Sequence, residues 1–209
     1  MAASNRLAAA FVGAVAALAG GLGAVAPAAA TGCTPAGASV LENSGAAQLY
    51  SSGGDLYGCA GARTTRLGVL SVGGHFAQTR VAHYALAGHY AGIDLADMGI
   101  DTFSSQVSVY DLDSGRRTAT APATSPENRA ESFITVSSLV IDPAGTLAWV
   151  GRRSAVGAFT PIYEVRTLGA SRDRLLDTST RIEASSLALR GHALSWLDGT
   201  SRRHASLEP

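Results

Sequence analysis

The 209-residue sequence contains no lysine; all 16 of its fixed cations are arginines. They are balanced by 16 acidic residues, so there is no global positive excess of the kind that binds nucleic acid. The arginine bias fits a GC-rich coding sequence better than a demand for bidentate anion contacts. No Gly-x-Ser-x-Gly elbow is present, which removes the commonest sequence sign of an activated serine. The five histidines, His75, His83, His89, His192 and His204, cannot be assigned to a serine and an aspartate by spacing. His83 and His89 lack companion cysteines or carboxylates at zinc-like spacing. Past the first thirty residues no stretch sustains a 3.6-residue apolar period between capping residues. The segment 130–138 is too short to hold a helix alone.

Long apolar runs are also scarce. The one example, Leu7–Val25, follows Arg6 and precedes Ala28-Ala29-Ala30. A basic start, an uncharged core and small residues before a cut describe a helical secretory signal peptide over 1–30. Gly20, Gly21, Gly23 and Pro27 disfavour the continuous helix that a retained membrane span requires. Losing Arg6 with this leader would leave the acids ahead by one, and 31–209 is about one domain's worth of chain. The two cysteines, Cys33 and Cys59, fit one disulfide in an exported protein, stabilising it by about 3 kcal/mol. Ala30-Thr31-Gly32-Cys33 also resembles a bacterial lipoprotein signal, with Ala30 where that family prefers Leu. Lipidation of Cys33 would leave Cys59 unpaired, so the disulfide is the expected outcome.

What is abundant is alternation. Ser137–Ile141 reads as a strand, Asp142-Pro-Ala-Gly145 as a turn and Leu147–Val150 as the returning strand. Proline presets φ early in such a turn and glycine takes φ > 0 at its end. A looser copy, Ser185–Leu197, places Trp196 47 residues after Trp149. A second anchor recurs as Leu56-Tyr57, Val109-Tyr110 and Ile162-Tyr163, the tyrosines lying 53 residues apart. Fixed periods of this size mark repeat architectures. Four strand–turn–strand–loop–strand–turn–strand units follow, at about 38–69, 80–121, 133–177 and 182–207. The fourth stops short of its outer strand, an arrangement in which a strand from elsewhere closes the sheet edge.

Val107–Arg116 resembles the third-strand hairpin of WD-repeat, TolB-like and related secreted β-propellers, and Ser138–Gly145 resembles their first-strand turn. The resemblance implies an all-β fold of about four antiparallel blades, as a closed ring, an open fragment or a ring completed by a second chain. It brings no function with it.

Blade topology puts the longer connections on one face, where binding usually resides. The residues expected there are His75, Asp97, Asp101, Glu127, Arg129, Glu131, Arg152 and Arg153. Asp94, Asp97 and Asp101 place three hard ligands close together, the pattern from which a calcium site would be made. Asp111 and Asp113 resemble the start of a calcium loop but also suit a plain hairpin turn. Tyr50, Trp149 and Trp196 recur on second strands, where large rings pack one blade on the next. His192 occupies the turn position of Thr146. The sequence thus leads to an exported, non-catalytic binding domain at the cell surface or outside the cell, its partner a protein or glycan. No other cofactor is implied, and no membrane span remains after signal cleavage. The alternatives are an extracellular polymer hydrolase or lyase, or a subunit completed by another chain, including a homo-oligomer.

Overall fold

The structure, a computed structural model, describes residues 33–70, 78–99, 103–125, 132–155, 157, 159–170 and 172–207. The expected signal peptide lies outside them. Among the described residues there are fifteen strands and no helix, hence none long and apolar enough to cross a membrane. The strands form antiparallel meanders in chain order. The first comprises β1 (Ser39–Ser44), β2 (Ala47–Ser52), β3 (Asp55–Ala60) and β4 (Arg63–Val69). The second comprises β5 (Gln78–Ala87), β6 (Tyr90–Met98), β7 (Phe103–Asp111) and β8 (Arg116–Pro122). The third comprises β9 (Ser132–Ile141), β10 (Leu147–Ala155), β11 (Ile162–Leu168) and β12 (Asp173–Ser179). The last has three strands, β13 (Ala188–Arg190), β14 (Ala193–Asp198) and β15 (Ser201–Ser206). A single parallel bridge, Phe103 to Phe133, ties the second meander to the third.

Local chemistry explains the tight turns. Asp142 Oδ1 accepts hydrogen bonds from the N–H groups of Ala144 (2.9 Å) and Thr146 (2.8 Å). Gly145 closes the same turn at φ +83°, a left-handed conformation that costs glycine little. The Asp142 side chain is buried, and its Oδ2 lies 3.1 Å from Nδ1 of His192 in the β13–β14 turn. His192 is therefore a turn residue that also joins two meanders.

The meanders stack face to face, because each strand buries alternate side chains. Leu49, Leu56 and Leu67 meet Val81, Ile93 and Leu112 between the first two. Val107 and Val109 meet Ile134, Leu147 and Trp149 between the second and third. Val150 and Val165 meet Leu194, Trp196 and Leu207 between the third and fourth. The two tryptophans do the same job. The Trp149 indole N–H donates to the Ala123 carbonyl just after β8 (2.7 Å), and that of Trp196 donates to Asp177 on β12 (2.8 Å). Each ring thus docks its meander onto the end of the one before.

Two expectations need correction. Tyr57, Tyr110 and Tyr163 each sit on a third strand, but in unlike surroundings. Tyr57 packs with the cysteines on the outer face, Tyr110 against the core between the first two meanders, and Tyr163 against the core between the last two. The 53-residue interval is therefore not a structural period. Nor is the ring closed: β1 pairs with β2, and among the described residues no first-meander strand pairs with the fourth. The outer face of the first meander is instead covered by the segment beginning at Cys33. The disulfide to Cys59 fixes it there, Cα atoms 6.0 Å apart, beside the stacked Tyr50 and Tyr57 rings. A Cys33 engaged in this bond has no thiol to carry a lipid.

Candidate functional site

The strand order puts the longer connections at one end, together with the tight turns after β2 and β14, and the remaining hairpin turns at the other. At the latter end lie the turns at Gly45, Gly61, Gly88, Gly145 and Gly191, all at positive φ. The connections following β4, β6, β8, β10 and β12 start from the opposite end. Rigid stubs hold that end. Gly151 on β10 lets the backbone carbonyl of Ala123 come so close that a Cβ there would overlap it, and the same carbonyl takes the Trp149 bond. Two residues on, Ser125 donates its N–H and its hydroxyl to Glu164 Oε2, at 2.9 and 3.0 Å. Arg166, almost fully buried, bridges Glu164 and Asp173 at 2.7 Å each and donates to the Ser125 hydroxyl. The guanidinium is thus paired with two carboxylates, the condition for burying its charge, and the second carboxylate, Asp173, stays partly open to solvent.

A cavity of about 300 Å³ opens beside these stubs. Thr79, Asp97 and Ser104 form one row across β5, β6 and β7, and Leu95, Gln106 and Pro122 form the next. The Thr79 hydroxyl lies 3.4 Å from Asp97 Oδ1. The cleft thus combines hydroxyls and an amide with an apolar floor, and among its described lining residues Asp97 is the one acid.

Of the residues expected on the long-loop face, Asp97 lines this cleft. Arg153 stands on β10 directly opposite Ile134, another lining residue, and shares its face; the exposed Arg152 projects from the other face. His75, Asp101, Glu127, Arg129 and Glu131 lie outside the described residues. Of the expected calcium ligands Asp94, Asp97 and Asp101, the last lies outside the described residues and the first two are not brought together. Asp94 is fully buried while Asp97 is exposed, and three residues apart on one strand they point to opposite faces.

Asp94 is engaged elsewhere: Oδ2 is 3.1 Å from His83 Nδ1 on β5, while Oδ1 has no hydrogen-bond partner among the described residues. At the end opposite the longer connections His89 faces Asp111 at 3.9 Å and Asp113 at 3.7 Å. These three form the one set of described side chains whose donor atoms converge well enough to hold a metal ion. Asp111 already serves its turn, accepting from the N–H groups of Asp113 (2.9 Å) and Ser114 (3.3 Å). Burial raises its pKa, but these bonds and the Ser114 hydroxyl outweigh that effect and hold it below the ordinary value. Both pairings escaped the sequence because each histidine meets its carboxylates across strands or between turns, where no short spacing signals them.

For metal chemistry, then, the described chain offers one imidazole and two carboxylates from two neighbouring hairpin turns; for ligand capture it offers a polar cleft on braced stubs. Compared with family models, curated proteins and solved structures, the chain matches none.

Proposed function

We propose that this chain is an exported, non-catalytic binding domain, an open arc of four propeller-like blades that captures an extracellular glycan in the cleft at its loop end. The observation that carries the reading is the coincidence, at one end of the strands, of the longer connections, the cleft and the anchored stubs. Binding surfaces are characteristically built from loops on a rigid scaffold. The blade reading is supported by the first strands, since β1 packs on β5, β5 on β9 and β9 on β13. First strands that neighbour one another along the chain are what blades about a common axis require. Export is supported by the leader pattern and by the disulfide, which persists in oxidising compartments. A cleft of hydroxyls, one amide and an apolar floor suits a polyhydroxylated ligand that forms several modest hydrogen bonds. A polymer hydrolase would need a second carboxylate about 5–9.5 Å from Asp97.

The test fills the cleft. Ser104→Trp and Gln106→Trp alter exposed positions, so each variant should keep the parent melting temperature and lose retention on a glycan array. Retention unchanged in both well-folded variants would remove the cleft from the account. A second reading has its own observation: among the described residues nothing pairs with the outer edge of β15. An unpaired edge is a template for a strand from another chain. Light scattering after gel filtration distinguishes a monomer from a strand-completed dimer.

A further inference from the structure

The outward face of the fourth meander breaks the rule that governs the other three. The faces that the first three meanders turn toward their successors are apolar, built from residues such as Leu56, Val109 and Val150. The corresponding face of the fourth carries Ala188 and Arg190 on β13, Ala193 and Ser195 on β14, and Arg202 and His204 on β15. Register makes these one surface. Ala188, Ser195 and His204 form a row across the three strands, Arg190 pairs with Ala193, and Arg202 pairs with Leu197. The middle strand supplies a floor of small side chains and the flanking strands supply long cationic walls, enclosing a trough of about 420 Å³. Arg190, Arg202 and His204 are all exposed. No carboxylate lines the trough among the described residues. The neighbouring Arg203 points the other way, toward Asp198 at 3.6 Å.

We propose that this trough binds an anionic glycan, a polyhydroxylated chain bearing carboxylate or phosphate groups at intervals. The two arginines occupy the outer two of three successive cross-strand rows, which step by about 7 Å along β14, with His204 in the row between them. They therefore match charges repeated along an extended chain rather than one compact anion. Ser195 stands in the middle row, between the two arginines, and the Arg202 Nη1 already lies 3.5 Å from its hydroxyl, so the floor can hydrogen-bond a sugar hydroxyl. A single-stranded nucleic acid would call for a series of aromatic rings to stack its bases, and among the described residues the trough has no Phe, Tyr or Trp, its one ring being the His204 imidazole. An acidic peptide recruited by a sheet pairs through its backbone at an edge, whereas these cations lie on the face. The site is separate from the loop-end cleft and does not depend on it.

The experiment measures binding of the full chain to immobilised polygalacturonate, which bears carboxylates, and to a glycerol-phosphate polymer. Dextran, polyglutamate and oligo-thymidylate serve as comparators. At least one of the two anionic probes is expected to bind, with affinity falling as salt screens the contact and dextran inert. Arg190→Glu with Arg202→Glu should weaken binding tenfold or more while the melting temperature holds. Arg190→Gln with Arg202→Gln provides a milder pair should the reversal fail to fold. The cleft variant Ser104→Trp should bind like the parent, which separates failure here from failure of the cleft reading. Three results overturn the proposal: neither anionic probe bound, binding unchanged in both arginine pairs, or polyglutamate or oligo-thymidylate bound as tightly as the glycans.

Discussion

Adding one methyl group at Gly151 tests how closely the second and third meanders are docked. The backbone there is not left-handed, so alanine meets no conformational penalty and the effect is steric. The new Cβ would overlap the Ala123 carbonyl oxygen and lie 2.9 Å from Thr124 Cγ2 and 3.0 Å from the Ala123 carbonyl carbon. Its neighbours are largely backbone, so no flexible side chain can swing aside. Overpacking of this kind costs about 1–3 kcal/mol. Pushing the carbonyl away also weakens its bond from the Trp149 indole, worth about 1 kcal/mol. Restricting the unfolded chain returns about 0.4–1 kcal/mol. The net expectation for Gly151→Ala is a loss of about 2–3 kcal/mol, which lowers the melting temperature by roughly 5–10 °C for a domain of this size. Urea unfolding followed by circular dichroism and tryptophan emission provides the assay. Gly169→Ala is the matched control, since its Cβ meets nothing within 4 Å and its stability should stay within about 0.5 kcal/mol of the parent. A Gly151→Ala protein as stable as that control, with unchanged emission, would refute the close docking.

Other perturbations have equally definite outcomes. Replacing both Cys33 and Cys59 by serine opens a loop of 26 residues and should cost about 3.5 kcal/mol by chain entropy; the parent under reductant should show a similar drop in urea midpoint. Trp149→Phe leaves the Ala123 carbonyl unpaired in a fully buried site and should cost about 2 kcal/mol, with the remaining Trp196 reporting the transition. Acid should also act through Asp198. The Ser179 hydroxyl foremost, and the nearby Arg181 and Arg203, hold its pKa below the ordinary value, against burial, which raises it. A depressed pKa means that its contribution is present above about pH 4 and is lost as pH falls through the folded value. Melting temperature against pH for Asp198→Asn should therefore fall less steeply below pH 4 than the parent curve; superimposable slopes would contradict this.

The all-β, antiparallel character was legible because it is written locally. Asp142-Pro-Ala-Gly145 makes its turn with its own side chain and backbone, and Ala60-Gly61-Ala62 and Asp113-Ser114-Gly115 link adjacent strands as tight hairpins. The tryptophan pair was a sound guide, since Trp149 and Trp196 bury the same kind of face and make the same kind of bond. The tyrosine series misled because a side chain changes sheet face with every single-residue step: Tyr57 and Tyr110 face toward the start of the chain, Tyr163 toward its end. The cleft was legible in part, through Asp97 and the gathering of longer connections. The trough was not. Its cations come from two edge strands, and the Arg202-Arg203 doublet, which reads as a solvated hairpin end, divides between two faces. Only the register shows which half belongs to the trough.

The trough requires an arc that stays open, with the fourth meander's outer face away from the first. Nuclear Overhauser contacts from methyl and aromatic protons in the folded, oxidised protein test this directly. The account predicts contacts joining Leu49 to Ile93, Val109 to Trp149 and Val150 to Trp196, and none linking the Tyr50 or Tyr57 rings to Ala188, Ala193 or His204. Contacts between those tyrosine rings and the β13–β15 face would show a closed ring with the trough buried inside it, and would contradict the account.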